Sequence, residues 1–242
     1  MWNVNPDSAI AIIPARYQST RLPGKPIIEI RGKTLIEHVY RRVEEAKSIE
    51  RIVVATDDDR IAQAVKGFGG NVIMTRVDHQ SGTDRLAEAA ADLPPGALVV
   101  NVQGDEPLIE PEVIDRAVSA ARLGDFEIVT LRTKLSEQAA IEDSNRVKVV
   151  VNKAGQALYF SRSPIPSTGT TFLHLGLYVY RAGFLRRFTR LQRTPLEIAE
   201  RLEQLRALEH GFRIRVIEVE SESWGIDTPA DLEKFKSYLG KV

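Results

Sequence analysis

Ala9-Ile10-Ala11-Ile12-Ile13, running straight into Pro14-Ala15-Arg16-Tyr17-Gln18-Ser19-Thr20-Arg21-Leu22-Pro23-Gly24-Lys25-Pro26, is the stretch on which the fold turns. The apolar run predicts a buried strand, and the strand empties into a loop carrying Arg16, Arg21 and Lys25 with Gly24 beside the lysine. Cations and backbone N–H groups at a strand end can grip a polyphosphate together. The spacing is neither G-x-x-x-x-G-K-[ST] nor G-x-G-x-x-G, which disfavours the P-loop and dinucleotide classes. A solvated basic loop is the competing reading.

Working outward, short β-branched runs alternate with amphipathic helical patterns, the mark of βαβ units on a largely parallel sheet. Strands are expected at Ala9 to Ile13, Arg51 to Ala55, Val72 to Met74, Leu98 to Val102 and Ile128 to Leu131. Between them Leu35, Val39, Val43 and Ala46 share one helix face, as do Ile61, Ala62, Val65 and Phe68, and Val113, Ile114, Ala117 and Ala121. Past about residue 145, Val147 to Val151 and Ala157 to Ser161 flank Asn152-Lys153-Ala154-Gly155 and read as an antiparallel hairpin, opening a second lobe or a sheet extension. A strand His174 to Tyr180, a helix Leu196 to Glu209, a strand Ile214 to Val219 and a closing helix Pro229 to Leu239 are expected after it.

The 242 residues suffice for one sizeable domain, or one domain with a smaller lobe, without covalent staples, and the absence of Cys removes disulfides. With 33 basic and 33 acidic residues the net charge is +0, which argues against nucleic-acid and membrane-surface binding. No apolar run is long enough for a signal-peptide core or a membrane span, so a cytoplasmic protein is expected.

Gln103-Gly104-Asp105-Glu106-Pro107 follows a predicted parallel strand, where open α/β sheets collect ligands. Asp105 reads as a turn former or a functional carboxylate. In Gly225-Ile226-Asp227-Thr228-Pro229, Asp227 reads as a helix cap or as a second hard carboxylate which, joined to the first by folding, would hold Mg²⁺ and leave room for phosphate oxygens. Asp78-His79-Gln80-Ser81-Gly82-Thr83-Asp84-Arg85 leads a helix whose start suits either a base or ribose, or a simple cap by Ser81 or Thr83. Alternation places His174, Gly176 and Tyr178 on one strand face, a binding surface or a solvated one. Arg162 suits a bidentate fork on a carboxylate. Glu203, on a helix whose core face is Ile198, Leu202, Leu205 and Leu208, is by default solvated. Nothing in the sequence has zinc or acyl-nucleophile spacing.

Taken in order, the blocks at 14–26, 78–85, 103–107, 157–162 (Ala-Leu-Tyr-Phe-Ser-Arg), 174–178, 202–206 (Leu-Glu-Gln-Leu-Arg) and 226–229 closely resemble the 3-deoxy-manno-octulosonate (Kdo) cytidylyltransferases. The first block alone also suits related sugar nucleotidyltransferases. The resemblance implies a Rossmann-like, mostly parallel α/β sheet flanked by helices, with a smaller antiparallel lobe. It implies one domain over 1–242, with 1–145 as the CTP-binding half and 146–242 as the sugar-binding and dimerisation lobe with the closing helix. The implied reaction is Mg²⁺-dependent transfer of CMP from CTP to Kdo by a cytoplasmic homodimer serving lipopolysaccharide synthesis. Carried over by position, Arg16, Lys25, Asp105 and Asp227 are the implied catalytic set, with Asp105 and Asp227 on the metal. Pro14, Ala15, Arg16, Lys25, Ser81, Gly82, Arg85 and Gln103 would surround the nucleotide, and Gln103, Arg162, His174, Tyr178 and Glu203 the sugar. The connection from Pro166 to His174 is shorter than the family pattern, which puts a lid or interface contact from that loop in doubt. Other readings are an 8-amino-Kdo or sialate acceptor, and a non-catalytic nucleotide-binding protein.

Overall fold

A computed structural model describes every residue except 1, 3, 19–21, 125, 222–223 and 241–242. Strand β1 (Ala9–Ala15) leads through a 3-10 turn (Lys25–Ile27) and a small ribbon, β2 (Glu29–Ile30) and β3 (Lys33–Thr34), into α1 (Leu35–Glu44). Then come β4 (Arg51–Thr56), α2 (Asp59–Gly67), β5 (Val72–Met74), α3 (Gly82–Ala89), β6 (Leu98–Asn101) and α4 (Pro111–Leu123). The second half holds β7 (Ile128–Leu135), α5 (Gln138–Glu142), β8 (Lys148–Val151), β9 (Ala157–Ser161), β10 (Thr171–Arg181), α6 (Ala182–Phe188), α7 (Pro195–Glu200), α8 (Gln204–Glu209), β11 (Ile214–Glu218) and α9 (Pro229–Leu239).

The main sheet runs β11-β7-β10-β6-β1-β4-β5. Pairs β6/β1, β1/β4, β4/β5 and β11/β7 are parallel, while β10 runs antiparallel to both β6 and β7. The β8–β9 hairpin hangs from β10, so the antiparallel segment extends the same sheet. From β1 the chain steps outward to β4 and β5 and then returns to β6 on the other flank of β1. The carboxyl ends of β1 and β6 therefore flank a topological switch point, where two connections diverge and leave a crevice.

The helix faces read from periodicity are the buried ones. Val39, Val43 and Ala46 pack under one side of the sheet with Ile61, Val65, Val113, Ile114, Ala117 and Ala121, while Leu35 enters a smaller cluster with Leu22, Ile30, Ile226 and Phe235. The expected helix Leu196 to Glu209 is corrected. Arg201 adopts φ 56, ψ 46, so α7 and α8 are two short helices joined by a left-handed residue. That conformation costs a non-glycine residue about 1–2 kcal/mol. The turn lets Glu197 reach Arg206 while Leu202 and Leu205 enter the core, and it leaves Ile198 57% exposed instead of on the core face. The ribbon β2–β3 and helices α5 and α6 have too few residues to show a period.

Candidate active site

The loop after β1 and the loop after β6 meet at the switch point. Gly104 makes this approach possible, because a Cβ there would lie 3.0 Å from the Pro14 carbonyl oxygen. Across the crevice, Ile226 N donates to the Asp105 carbonyl oxygen (2.8 Å), which joins the β6 loop to the segment preceding α9. The acidic loops, far apart in sequence, are thus fixed side by side by backbone.

Gly24, at φ 69, turns the chain into the 3-10 helix that presents Lys25. Its ammonium donates to Asp105 Oδ2 (2.6 Å), the Ile226 carbonyl oxygen (2.9 Å) and Asp227 Oδ1 (3.1 Å). A lysine has three N–H donors, and all three are used here. The lysine side chain is 14% exposed, against 29% for Asp105 and 48% for Asp227, so the assembly opens to solvent on its carboxylate side. Capping does not account for Asp227: Thr228 is the N-cap of α9 and shares a capping box with Asp231. Nor does Asp105 cap α4, whose N-cap is Glu110.

Among the described residues no three His, Cys, Asp or Glu side chains cluster to enclose a metal ion. The donor set is two hard carboxylates on an open rim, which suits Mg²⁺, a cation that keeps waters and takes one or two carboxylates plus phosphate oxygens. Arg21, with Ser19 and Thr20, lies outside the described residues. The Arg16 guanidinium donates to the His79 carbonyl oxygen (3.0 Å), which ties the cationic loop to the 78–85 block. Gly82 faces the Pro14 ring at 3.8 Å from its Cβ direction. Pro14, Ala15, Arg16, Ser81 and Gly82 therefore line up along one flank.

Ser81 caps α3 in a reciprocal box with Asp84, so the cap reading describes its hydroxyl. Thr83 is not a cap; its hydroxyl donates to Glu203 Oε2 (2.5 Å), bridging the start of α3 to that of α8. Arg85 is the residue of this block that the structure does not bring to the crevice. It is fully buried, with Nη2 3.1 Å from Asp57 Oδ2 and Nη1 donating to the Thr75 hydroxyl. Its period along α3 turns it inward, where an ion pair offsets part of the desolvation.

Beside this flank lies a cleft of about 1850 Å³. Gln103, Arg162, His174, Tyr178 and Asp227 all line it, which brings together four of the five expected sugar residues and one of the two carboxylates expected to hold a metal. Glu203 joins this region through Thr83. Gln103 Nε2 donates to the Gly176 carbonyl oxygen (3.1 Å), tying the β6 loop to β10. Strand β10 carries a bulge here: Leu175 pairs with Leu131, but the next partner, Thr130, faces Tyr178.

Thr130, a residue sequence reasoning did not single out, holds the bulge. Its Oγ1 lies 2.8 Å from the Leu177 carbonyl oxygen and 2.9 Å from His174 Nε2. The hydroxyl has one proton and the carbonyl can only accept, so His174 donates from Nε2 and keeps Nδ1 as an acceptor. The His174 ring packs against Phe160 (5.0 Å) and Tyr178 (5.3 Å), and burial pushes its pKa down to about 3. The imidazole is therefore neutral across the physiological range. Its unfolded-state value of 6.5 is the higher one, so its contribution to stability is complete above pH 6.5 and is lost as pH falls from there toward about 3. Acid titration of unfolding should be flatter over that window in His174→Gln than in the parent; parallel curves would rule the assignment out.

The family described as Cytidylyltransferase matches residues 10–216. The 3-deoxy-manno-octulosonate cytidylyltransferase of Geobacter metallireducens is 50% identical, over 96% of this chain and 97% of its own. That of Solibacter usitatus is also 50% identical, over 95% and 93%. A solved CMP:2-keto-3-deoxy-manno-octonic acid synthetase complexed with CTP superposes with a TM-score of 0.92 at 42% identity, covering 97% of this chain and 99% of that one. A 4-diphosphocytidyl-2C-methyl-D-erythritol synthase from Anaerococcus prevotii, at 17% identity and TM-score 0.66 over 97% of each chain, shares the fold.

Proposed function

The chain belongs to the 3-deoxy-manno-octulosonate cytidylyltransferase family, and from that premise we propose that it transfers CMP from CTP to Kdo, releasing pyrophosphate, for lipopolysaccharide synthesis. The observation that carries this reading is the convergence of Lys25, Asp105 and Asp227 at the switch point, on the rim of a cleft lined by Arg162 and His174.

Both reactants are anions, so the protein's task is to hold them in line against their repulsion. Arg16 and Lys25 bind phosphate oxygens of CTP, with Pro14, Ala15, Ser81 and Gly82 shaping the nucleotide flank and Arg85 supporting it from the core. For Lys25 to engage phosphate it exchanges carboxylate partners for triphosphate oxygens. Asp105 and Asp227 would hold Mg²⁺, and the ion would supply charge neutralisation at the triphosphate. Arg162 pairs with the Kdo carboxylate, while Gln103, Glu203, Tyr178 and the Nδ1 acceptor of His174 orient the hydroxyls.

The enzyme works as a cytoplasmic homodimer, with residues 1–145 forming the CTP half and 146–242 the sugar and dimer half. Exposed Leu158, Leu196 and Ile198, all in the second half, supply apolar surface for such an interface. No helix among the described residues is long and apolar enough to cross a membrane. Light scattering should give twice the chain mass of 27.0 kDa; a single chain mass at working concentration rejects the dimer.

The decisive assay is pyrophosphate release from CTP with Mg²⁺, with and without Kdo, its 8-amino analogue or N-acetylneuraminate. Release with Kdo is expected. Release only with another sugar changes the acceptor, and none with any sugar from folded, CTP-binding protein rejects catalysis. Arg162→Ala should raise the KM for Kdo by about tenfold to a hundredfold with little change in the KM for CTP. An unchanged Kdo dependence removes Arg162 from the carboxylate site.

A further inference from the structure

Lys148, at the start of β8, is fully buried. Its three acceptors are all backbone carbonyl oxygens: Asp143 at 3.0 Å, Arg146 at 2.6 Å and Arg162 at 2.5 Å. Burying an ammonium group is costly, and an apolar side chain of similar length would fill the same volume without that cost. What an apolar side chain cannot do is hold three carbonyl dipoles with their negative ends pointing at one spot.

Those carbonyls belong to two segments that meet at the cleft. Asp143, Asn145 and Arg146 line it from the loop before β8, and Arg162 lines it from the end of β9. The Arg162 guanidinium is itself suspended between two supports. Its Nη1 donates to the Ser144 carbonyl oxygen (3.0 Å), in the loop that Lys148 clamps, and its Nε to the Glu200 carbonyl oxygen (2.9 Å) at the end of α7. Glu200 also receives the Arg162 backbone N–H at 2.8 Å. Lys148 thus sets the spacing between the Arg162 backbone and one of the two carbonyls that aim its side chain. It also places a third positive charge behind Arg146 and Arg162.

We propose that Lys148 is a positioning residue for the acceptor's carboxylate: by clamping the 143–146 loop to the Arg162 backbone, it fixes the guanidinium in the orientation that receives a 2-keto sugar acid. This rests on the acceptor reading above. It makes the carboxylate site a two-tier structure in which the group that touches substrate is aimed by a cation that does not.

The test is steady-state pyrophosphate release by the full chain, varying Kdo at saturating CTP and Mg²⁺, for the parent, Lys148→Met, Arg162→Ala, the double variant and the exposed control Lys153→Met. Lys148→Met should raise the KM for Kdo about tenfold while kcat and the KM for CTP stay within about threefold. The double variant should be no worse than Arg162→Ala by more than about twofold, because Lys148 acts through Arg162. Lys153→Met should match the parent. A Kdo KM unchanged in Lys148→Met, or effects that multiply in the double variant, would overturn the proposal.

If Lys148→Met does not fold, hydrogen exchange on the parent decides. Saturating Kdo added to the CTP-loaded protein with Ca²⁺ replacing Mg²⁺ should protect amides of both 143–148 and 161–163; protection in neither segment rejects the proposal. A parent that binds and uses CTP but ignores Kdo refutes the acceptor assignment instead, so the two failures are distinguishable.

Discussion

Asp105→Asn is expected to lower turnover at saturating Mg²⁺ by about two to three orders of magnitude with the fold retained, and Asp227→Asn to do the same. Each carboxylate sits within 3.1 Å of the Lys25 ammonium, and the two come from segments joined by the backbone hydrogen bond from Ile226 N to the Asp105 carbonyl oxygen. Neither is needed to start a helix, since Glu110 is the N-cap of α4 and α9 is capped by Thr228 with Asp231. The amide isostere keeps the volume, removes the charge and turns one acceptor oxygen into a donor. The loss should therefore fall on kcat, with the circular dichroism spectrum and melting temperature close to those of the parent. Ordinary turnover in either folded variant would discard the metal assignment.

The largest stability effect is expected at Glu197→Gln, at about 3–5 kcal/mol, equivalent to a fall of about 10 °C in melting temperature. Glu197 is 2% exposed and accepts from Arg206 Nε (2.7 Å) and Nη2 (2.5 Å), with Arg206 itself 9% exposed. Glutamine removes the carboxylate that takes two guanidinium bonds and leaves the buried Arg206 with the more distant Glu203 Oε1, 4.0 Å from Nη2, which is the costly way to break such a pair. Desolvation pushes the Glu197 carboxyl up, but hydrogen bonds and charge from Arg206 outweigh it and hold it below the ordinary 4.5. Its folded-state value is thus the lower one, so its stabilisation is complete above pH 4.5 and is lost as pH falls through the folded value. The variant should accordingly show a shallower loss of stability in acid than the parent. Equal stability of the two proteins in denaturant titration at neutral pH would show that the pair contributes nothing net. The site would also respond, because α7 ends in Glu200 and α8 is N-capped by Glu203, the partners of Arg162 and Thr83.

The helix Leu196 to Glu209 marks where local reading stops. The periodic apolar positions supported one helix, and no glycine or proline inside it warned of a break. The break occurs because a left-handed Arg201 allows a buried ion pair and a core contact that a straight helix would place on different sides. Ser81 and Thr83 show the same limit: cap and ligand readings are degenerate in sequence, and only the bond from Thr83 to Glu203, 120 residues on, distinguishes their roles. Arg85, matched by motif position, turns inward to Asp57 for the same reason.

What the sequence determined by itself was whatever depends on neighbours along the chain. Uniform apolar runs specified buried strands, 3.6-residue spacing specified helix faces, and the ordered blocks specified the family. What only tertiary structure decided was which side chains meet. The reversal of strand order at β1 brings residues 14, 25, 103 and 105 to one crevice, and the segment before α9 adds Asp227. Thr130 binds the Leu177 carbonyl of a distant strand, and Lys148 joins the carbonyls of its own preceding loop to that of Arg162 across the β8–β9 hairpin. A carbonyl is present on every residue, so such partners carry no sequence signal; they exist only once the sheet has assembled.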